Sequence, residues 1–178
     1  KVINDLTFKT NNLIFDELGI KNNFNVYFKN LNSIGKNVSN YKSSPQIELQ
    51  SLFELNSELP LIKYNETTTQ TLIPRISLKF NPGDMKNHSD AERKININNI
   101  FDANRIGVDD TFEEGGSLTL GINYKKENNL DYSKYIEYNL ATVFRNEEEN
   151  NIPSQTTLNQ KQSNIFGSIN YNFSEFGN

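Results

Sequence analysis

Ser117-Leu118-Thr119-Leu120-Gly121-Ile122-Asn123-Tyr124-Lys125 alternates without a break: large apolar residues at every second position, small or polar ones between. Successive side chains of a β-strand point to opposite faces, so this stretch makes a strand with one greasy side and one wet side. Working outward, the same period recurs. Phe24, Val26 and Phe28 alternate with Asn25, Tyr27 and Lys29, and Leu49, Phe53 and Leu55 share a parity broken by Ser51. Leu72, Ile76, Leu78 and Phe80 share one that includes Pro74. Tyr138, Leu140 and Phe144 alternate with Asn139, Ala141 and Arg145, and Ile165, Ile169, Tyr171 and Phe173 with Asn164, Ser168, Asn170 and Asn172. A helical stripe is nearly absent. Ser89-Asp90-Ala91-Glu92 fits a capping box, but Ile95 and Ile97 then alternate with Asn96 and Asn98, which predicts one turn of helix at most.

Each run is about ten residues, near the length a tilted strand needs to cross a bilayer and longer than the usual globular strand of about five or six. Polar connections of uneven size lie between the runs: Asn30 to Ser44, Lys126 to Ser133, and Asn146 to Gln160 with Glu147, Glu148 and Glu149. Short turns alternating with long polar loops suit an outer-membrane barrel. A soluble β-sandwich with one wet face has the same alternation. Two features tilt the reading to the membrane: aromatics sit near strand ends (Tyr64, Phe80, Tyr124, Tyr135, Phe173), and a second apolar layer to cover the first is hard to find. The expected fold is therefore all-β, an antiparallel transmembrane β-barrel wall. It is read as a piece of a larger barrel, an open curved sheet in isolation, with two unpaired edges. A small complete barrel is the variant reading, although Phe176-Gly177-Asn178 lacks the terminal aromatic such barrels carry.

Composition removes most other classes. In 178 residues there are 18 Lys+Arg against 22 Asp+Glu, and no basic block that would track a phosphate backbone, so nucleic acid is not an expected partner. Mean hydropathy of −0.68 and the lack of any long apolar run exclude a helical membrane protein. Zero cysteines exclude disulfides, thiolate metal sites and cysteine nucleophiles, and a single histidine, His88, excludes a multi-histidine metal centre. Thirty asparagines give a low-complexity flavour, but twelve Phe and eight Tyr argue against disorder. Lys1 is not an initiator methionine, and no targeting segment opens the chain, which reads as an internal piece.

One segment departs from the strand pattern: Asn99-Ile100-Phe101-Asp102-Ala103-Asn104-Arg105-Ile106, followed by Asp110, Glu113, Gly116 and Gly121. It resembles a segment of the lipopolysaccharide-assembly protein family, LptD, the outer-membrane translocon, in which an N-(L/I)-F-x-x-N-R-(F/I) run precedes an aspartate, a glutamate, a glycine and a strand ending in Gly-x-x-Tyr. Leu59-Pro60-Leu61, Gln70-Thr71-Leu72-Ile73-Pro74-Arg75 and Asn81-Pro82 look like the strand starts and ends upstream, so the resemblance covers about 49–124. The chain departs from the pattern at Val108, where the family has glycine, and at Thr111, where it has arginine. An acid pair made by that arginine is then missing here or rebuilt from Arg105. The resemblance implies that residues 1–178 are part of one outer-membrane β-barrel domain, with the N-terminal periplasmic jellyroll and the barrel-closing strands outside this chain.

The residues alone allow the motif a structural role but favour an ordinary surface loop. Asn99 and Asn104 suit side-chain bonds to their own backbone that fix turns, and the planar fork of Arg105 suits Asp109, Asp110 or Glu113. The bland reading is a surface loop with solvated charges; the resemblance favours a structural loop clamp built on Asn99, Phe101, Asn104, Arg105, Asp110, Glu113, Gly116 and Gly121. Asp109, Asp110, Glu113 and Glu114 lack the spacing of a calcium loop. His88 sits in a polar run with no nucleophile elbow, and no carboxylate pair is singled out for hydrolysis. Asn37-Val38-Ser39, Asn65-Glu66-Thr67 and Asn172-Phe173-Ser174 match glycosylation sequons in a chain where asparagine makes chance matches common.

No enzymatic activity, cofactor or metal is expected. The implied function is to insert lipopolysaccharide into the outer leaflet of a Gram-negative cell outer membrane, with lipopolysaccharide and outer-membrane lipids as partners. An LptE-like lipoprotein plug and an LptA-like periplasmic bridge would engage parts of the protein beyond this chain. The alternatives are a porin-like barrel and a secreted β-sandwich acting as a binding or adhesion module.

Overall fold

The alternating runs become the strands of one sheet. The structure is a computed structural model that describes residues 1–15, 17–36 and 43–173. Among the described residues the strands are β1 (Val2–Lys9), β2 (Leu13–Phe15), β3 (Ile20–Ser33), β4 (Gln46–Glu58), β5 (Leu61–Tyr64), β6 (Thr68–Asn81), β7 (Gly115–Asn128), β8 (Tyr135–Arg145) and β9 (Phe166–Asn172). All are antiparallel, and the path through the sheet is β1-β3-β4-β6-β7-β8-β9. Among the described residues the helical content is one 3-10 turn, Ser154–Thr156, and no described helix is long and apolar enough to cross a membrane. The all-β antiparallel expectation therefore holds. The sheet is not closed into a barrel, because β1 and β9 end the path on opposite edges.

Two strands are broken. β1 and β2 both pair with β3, and β5 continues the line of β4 along β6. The second break explains a proline in a central strand, where the missing N–H should cost a ladder bond. Glu58 pairs with Arg75 and Leu61 with Leu72, so Leu59-Pro60 stands opposite Ile73-Pro74. The Leu59 amide donates to the Pro74 carbonyl at 3.1 Å, which turns the nitrogen of Pro74 toward the same gap. The absent donor faces the place where no acceptor is required.

Connections alternate in size. The turns at 17–19, 65–67 and 129–134 lie at one end of the sheet; β3, β6 and β8 lead at the other end into the connections that begin after Ser33, Asn81 and Arg145. The strands run past the predicted loop bounds, to Ser33 and Asn128. Ser89-Asp90 forms a turn without a helix, and Ile95 and Ile97 belong to the long connection. The sequon at Asn37 and the terminal Phe176-Gly177-Asn178 lie outside the described residues, as does Ser174 of the third sequon.

One face carries the large apolar side chains. Register sets Phe53 opposite Phe80, Leu55 opposite Leu78, Leu78 opposite Leu118, Ile76 opposite Leu120, Ile122 opposite Leu140, and Tyr124 opposite Tyr138. Most residues of this face are exposed, among them Phe28 47%, Leu78 46%, Phe80 53%, Leu140 50% and Ile169 64%, while Phe53, Leu118 and Tyr124 are half-buried. The opposite face is polar yet buried, with Asn25, Lys29, Glu54, Lys79, Ser117, Thr119 and Arg145 covered. Two long connections cover it. Met85, Ile95, Ile100 and Ile106 from 82–114, with Ile152 and Leu158 from 146–165, pack onto Ala141 and Val143 of β8 and form the dry core. No second sheet among the described residues covers the apolar face, as a sandwich would require.

Candidate functional site

The site has two parts, a side-chain clamp on the polar face and an exposed belt on the other. The clamp centres on Arg105, whose relative exposure is 0%. Its Nε and Nη2 donate to the two carboxylate oxygens of Glu113, each at 2.7 Å. Nη2 also donates to Ser117 Oγ at 3.0 Å, and Nη1 to Thr119 Oγ1 at 2.8 Å and to the Ile100 carbonyl at 3.4 Å. A guanidinium has five N–H donors in a fixed fork, and here every one is used. Ser117 and Thr119 stand on the polar face of β7, so the fork ties the loop turn at 100–105 to the sheet.

Glu113 is the shared anion. Arg145 Nη1, from the end of β8, donates to its Oε2 at 3.1 Å, and Arg145 Nη2 reaches the Glu114 carbonyl. Burial alone would raise the Glu113 carboxyl, but the charge of Arg105, its hydrogen bonds, and the charges of Lys79 and Arg145 outweigh it and lower the group to about 2. A second buried pair lies alongside. Lys79 Nζ is 3.7 Å from Glu54 and donates to the Asp102 carbonyl, while Glu54 accepts from Asn25 Nδ2 at 2.8 Å and Tyr27 Oη at 3.1 Å. In the ladder, Asn25 is opposite Glu54, Glu54 opposite Lys79, Lys79 opposite Ser117, and Ser117 opposite Arg145, so one row across five strands carries the charges. Desolvating two ions costs about what their attraction returns, whereas removing one partner costs about 3–5 kcal/mol. The network thus fixes where the loop sits more than it adds net stability.

The remaining motif residues divide between turns and sockets. Asn99 Oδ1 accepts from the Asn96 amide at 2.9 Å and its Nδ2 donates to the Lys94 carbonyl at 3.1 Å. Asn104 Oδ1 accepts from the amides of Gly107 and Val108, and its Nδ2 donates to the Val108 carbonyl at 2.7 Å. Both are turn-fixing residues. Phe101 lies with the Arg75 guanidinium 4.3 Å from its ring centroid and its edge against Gly121. A Cβ on Gly121 would be 2.5 Å from Phe101 Cζ, so Gly121 is the socket that admits the ring. The amide of Gly116 donates to Asn146 Oδ1 at 3.0 Å.

Asp110 does not meet Arg105. It accepts from His88 Nε2 at 2.9 Å and lies 3.6 Å from Lys1 Nζ; burial raises its carboxyl, but His88, Lys1 and Lys86 together lower it below the ordinary value. His88, placed by the sequence only in a polar run, is thus a half-buried partner of Asp110 with its ring held in place. Asp109 also takes no part in the fork. Thr111 is fully buried, its Oγ1 accepting from the Lys86 amide at 3.1 Å, so the acid pair is built from Arg105 with Arg145 as a second cation. Glu114 caps the Met85 amide at 3.0 Å, which leaves Asp110, Glu113 and Glu114 aimed at separate partners with no shared centre.

No family model, no curated protein and no solved structure matches this chain.

Sequence reasoning passed over Glu54, Lys79 and Arg145. Their signal was parity: each is a charged residue at a polar-face strand position, in line with residues that the motif engages. The same face holds a polar groove of about 520 Å³ beside the clamp, lined by Asn23, Asn25, Asn56, Glu54, Arg75 and Phe101 among others.

The belt is the second part. Tyr124 and Tyr138 stack at 6.2 Å near the short-turn end, with Tyr171 further along, and the Tyr124 hydroxyl donates to Gln70 at 3.3 Å. Past that row the same face turns polar at Lys63, Gln70 and Lys126. Phe53, Phe80 and Phe144 line the long-loop side, and Leu, Ile and Pro fill the middle. From Leu72 to Phe80 the belt runs along the strand for roughly 26 Å at about 3.3 Å per residue. Tyr64 and Tyr135 fall on the other parity; Tyr135 lies on the polar face, with Lys125 over its ring at 5.4 Å.

Proposed function

We propose that this chain is a stretch of wall in a Gram-negative outer-membrane β-barrel, with lipid against the belt and the polar face turned to the lumen. One observation carries the reading: a single sheet exposes its apolar face while burying its charges on the other. A dozen half-exposed belt side chains, each with roughly 150–200 Å² of surface, amount to on the order of 1,000 Å². Patches on soluble monomers rarely exceed a few hundred Å². At about 25 cal/mol per Å², such a surface favours hydrocarbon over water by roughly 25 kcal/mol. An aromatic-bounded apolar band of about 25 Å and alternating short and long connections are the features of such walls.

Within that reading, the Asn99 to Gly121 resemblance supports the lipopolysaccharide translocon as the parent protein, and the chain is then a non-enzymatic part of it. The clamp holds the 82–114 connection against the polar wall, inside the barrel, and the groove beside Phe101 lies on the path of the sugar and phosphate headgroup. The test uses the cysteine-free chain: single cysteines at positions 118, 120, 122, 123 and 125, which leave the buried fork partners and the Gly121 socket untouched, carry a fluorophore in vesicles containing nitroxide lipid. Quenching at 118, 120 and 122 but not at 123 and 125 is expected; uniform quenching or none overturns the wall. A photoreactive residue at Asn23 or Asn56 in cells should capture lipopolysaccharide. No adduct alongside an alternating quench pattern removes the translocon and leaves the barrel.

A further inference from the structure

The edges of the sheet are unfinished surfaces, and the direction of their strands says what completes them. Along β1-β3-β4-β6-β7-β8-β9 every step is antiparallel, so β9 runs in the same direction as β1. Closing β9 directly onto β1 would create the one parallel pair of the sheet. A second copy in the same membrane orientation presents the same direction and meets the same obstacle. On β1 the charges, Asp5 and Lys9, stand on the polar face, and β9 carries none of the devices that keep a terminal strand unpaired. β9, Phe166–Asn172, contains no charge and no proline. The belt does not taper: Val2, Leu6 and Phe8 are 59%, 66% and 61% exposed on one edge, and Ile169, Tyr171 and Phe173 are 64%, 69% and 57% on the other.

We propose that β9 and β1 are bridged by at least one further strand, antiparallel to both, whose apolar residues continue the belt and whose polar residues continue the opposite face. In an all-antiparallel cylinder the number of bridging strands is odd, which with the seven on this path makes an even total, the rule for bacterial single-chain barrels. The inference rests on the barrel reading for its closure and on strand direction for its partner.

The absence of cysteine makes the test direct. Adjacent strands bring paired Cα atoms within about 4.5–5.5 Å, which a disulfide spans; one intervening strand separates them by roughly 9–10 Å, beyond its reach of about 7 Å. In the membrane-embedded full protein, Leu6→Cys or Phe8→Cys is combined with Ile169→Cys, Tyr171→Cys or Phe173→Cys. Leu6→Cys with Phe28→Cys, neighbours in register, is the control. Expected is oxidation of the control alone, with slow hydrogen exchange at the β9 amides that point away from β8. A β1–β9 disulfide within one chain means self-closure, one between chains means copy-to-copy pairing, and fast exchange at those amides means an uncovered edge; each overturns the proposal. Loss of the alternating lipid quench with the edge result intact would overturn the membrane wall instead.

Discussion

Replacing Leu120 by arginine puts a charge at a position where water and lipid give opposite answers. Leu120 stands opposite Ile76, the midpoint of the belt residues of β6 from Leu72 to Phe80, and is 37% exposed. On a wetted surface, such a change away from caps, cavities and ion pairs costs within about 0.5 kcal/mol. At the midplane of a barrel wall, arginine costs roughly 2–4 kcal/mol. At 1.4 kcal/mol per tenfold, that is about a 30- to 700-fold loss in the folding equilibrium. Leu130→Arg, in the short turn at 129–134 and 89% exposed, is the matched control and should cost almost nothing. Urea unfolding in phospholipid vesicles, followed by far-ultraviolet circular dichroism, measures both; the chain has no tryptophan to follow. Equal midpoints for Leu120→Arg and the parent would refute the placement of the belt in hydrocarbon.

Glu113→Gln removes the counter-ion that Arg105 and Arg145 share and should cost about 3–5 kcal/mol, with the connection 82–114 becoming cleavable by protease while the strands stay resistant. The same carboxylate sets an acid limit. Its folded value of about 2 lies below the ordinary 4.5, so the folded state binds fewer protons. Its contribution is full above about pH 4.5 and is lost as pH falls toward 2. The size is roughly 3 kcal/mol from the shift, and loop cleavage by an acid-tolerant protease should rise over that window in the parent and stay flat in Glu113→Gln. Gly121→Val forces Phe101 out of its socket at a cost of about 1–3 kcal/mol. In a double-mutant cycle with Phe101→Ala the two effects should overlap; full additivity would show that the contact carries nothing.

Much of the strand pattern was legible because side-chain alternation has a period of two, and a run such as 117–125 satisfies no other template. β1 and β2 were not read, and of β5 only the start at Leu61 was, through the resemblance: β2 and β5 are too short to show the period, and both lie along a neighbour that defines them. The clamp was half legible. Asn99 and Asn104 act within a few residues of themselves, and local bonds can be read locally. Arg105 offered three carboxylates close in sequence, and only the fold selects Glu113, by placing Ser117 and Thr119 under the rest of the fork.

What the sequence determined by itself is the two-sidedness of this sheet, since parity assigns every strand residue to a face before any strand has a neighbour. Which face is covered was decided by tertiary structure. The apolar side chains of 82–114 and 146–165 pack on the polar side, around Ala141 and Val143, because Arg105 finds its anion and its hydroxyls there. Burial of those charges is tolerable only once cations from β6 and β8 meet carboxylates from β4 and the loop. Those partners lie far apart along the chain, and only the register of the sheet brings them together.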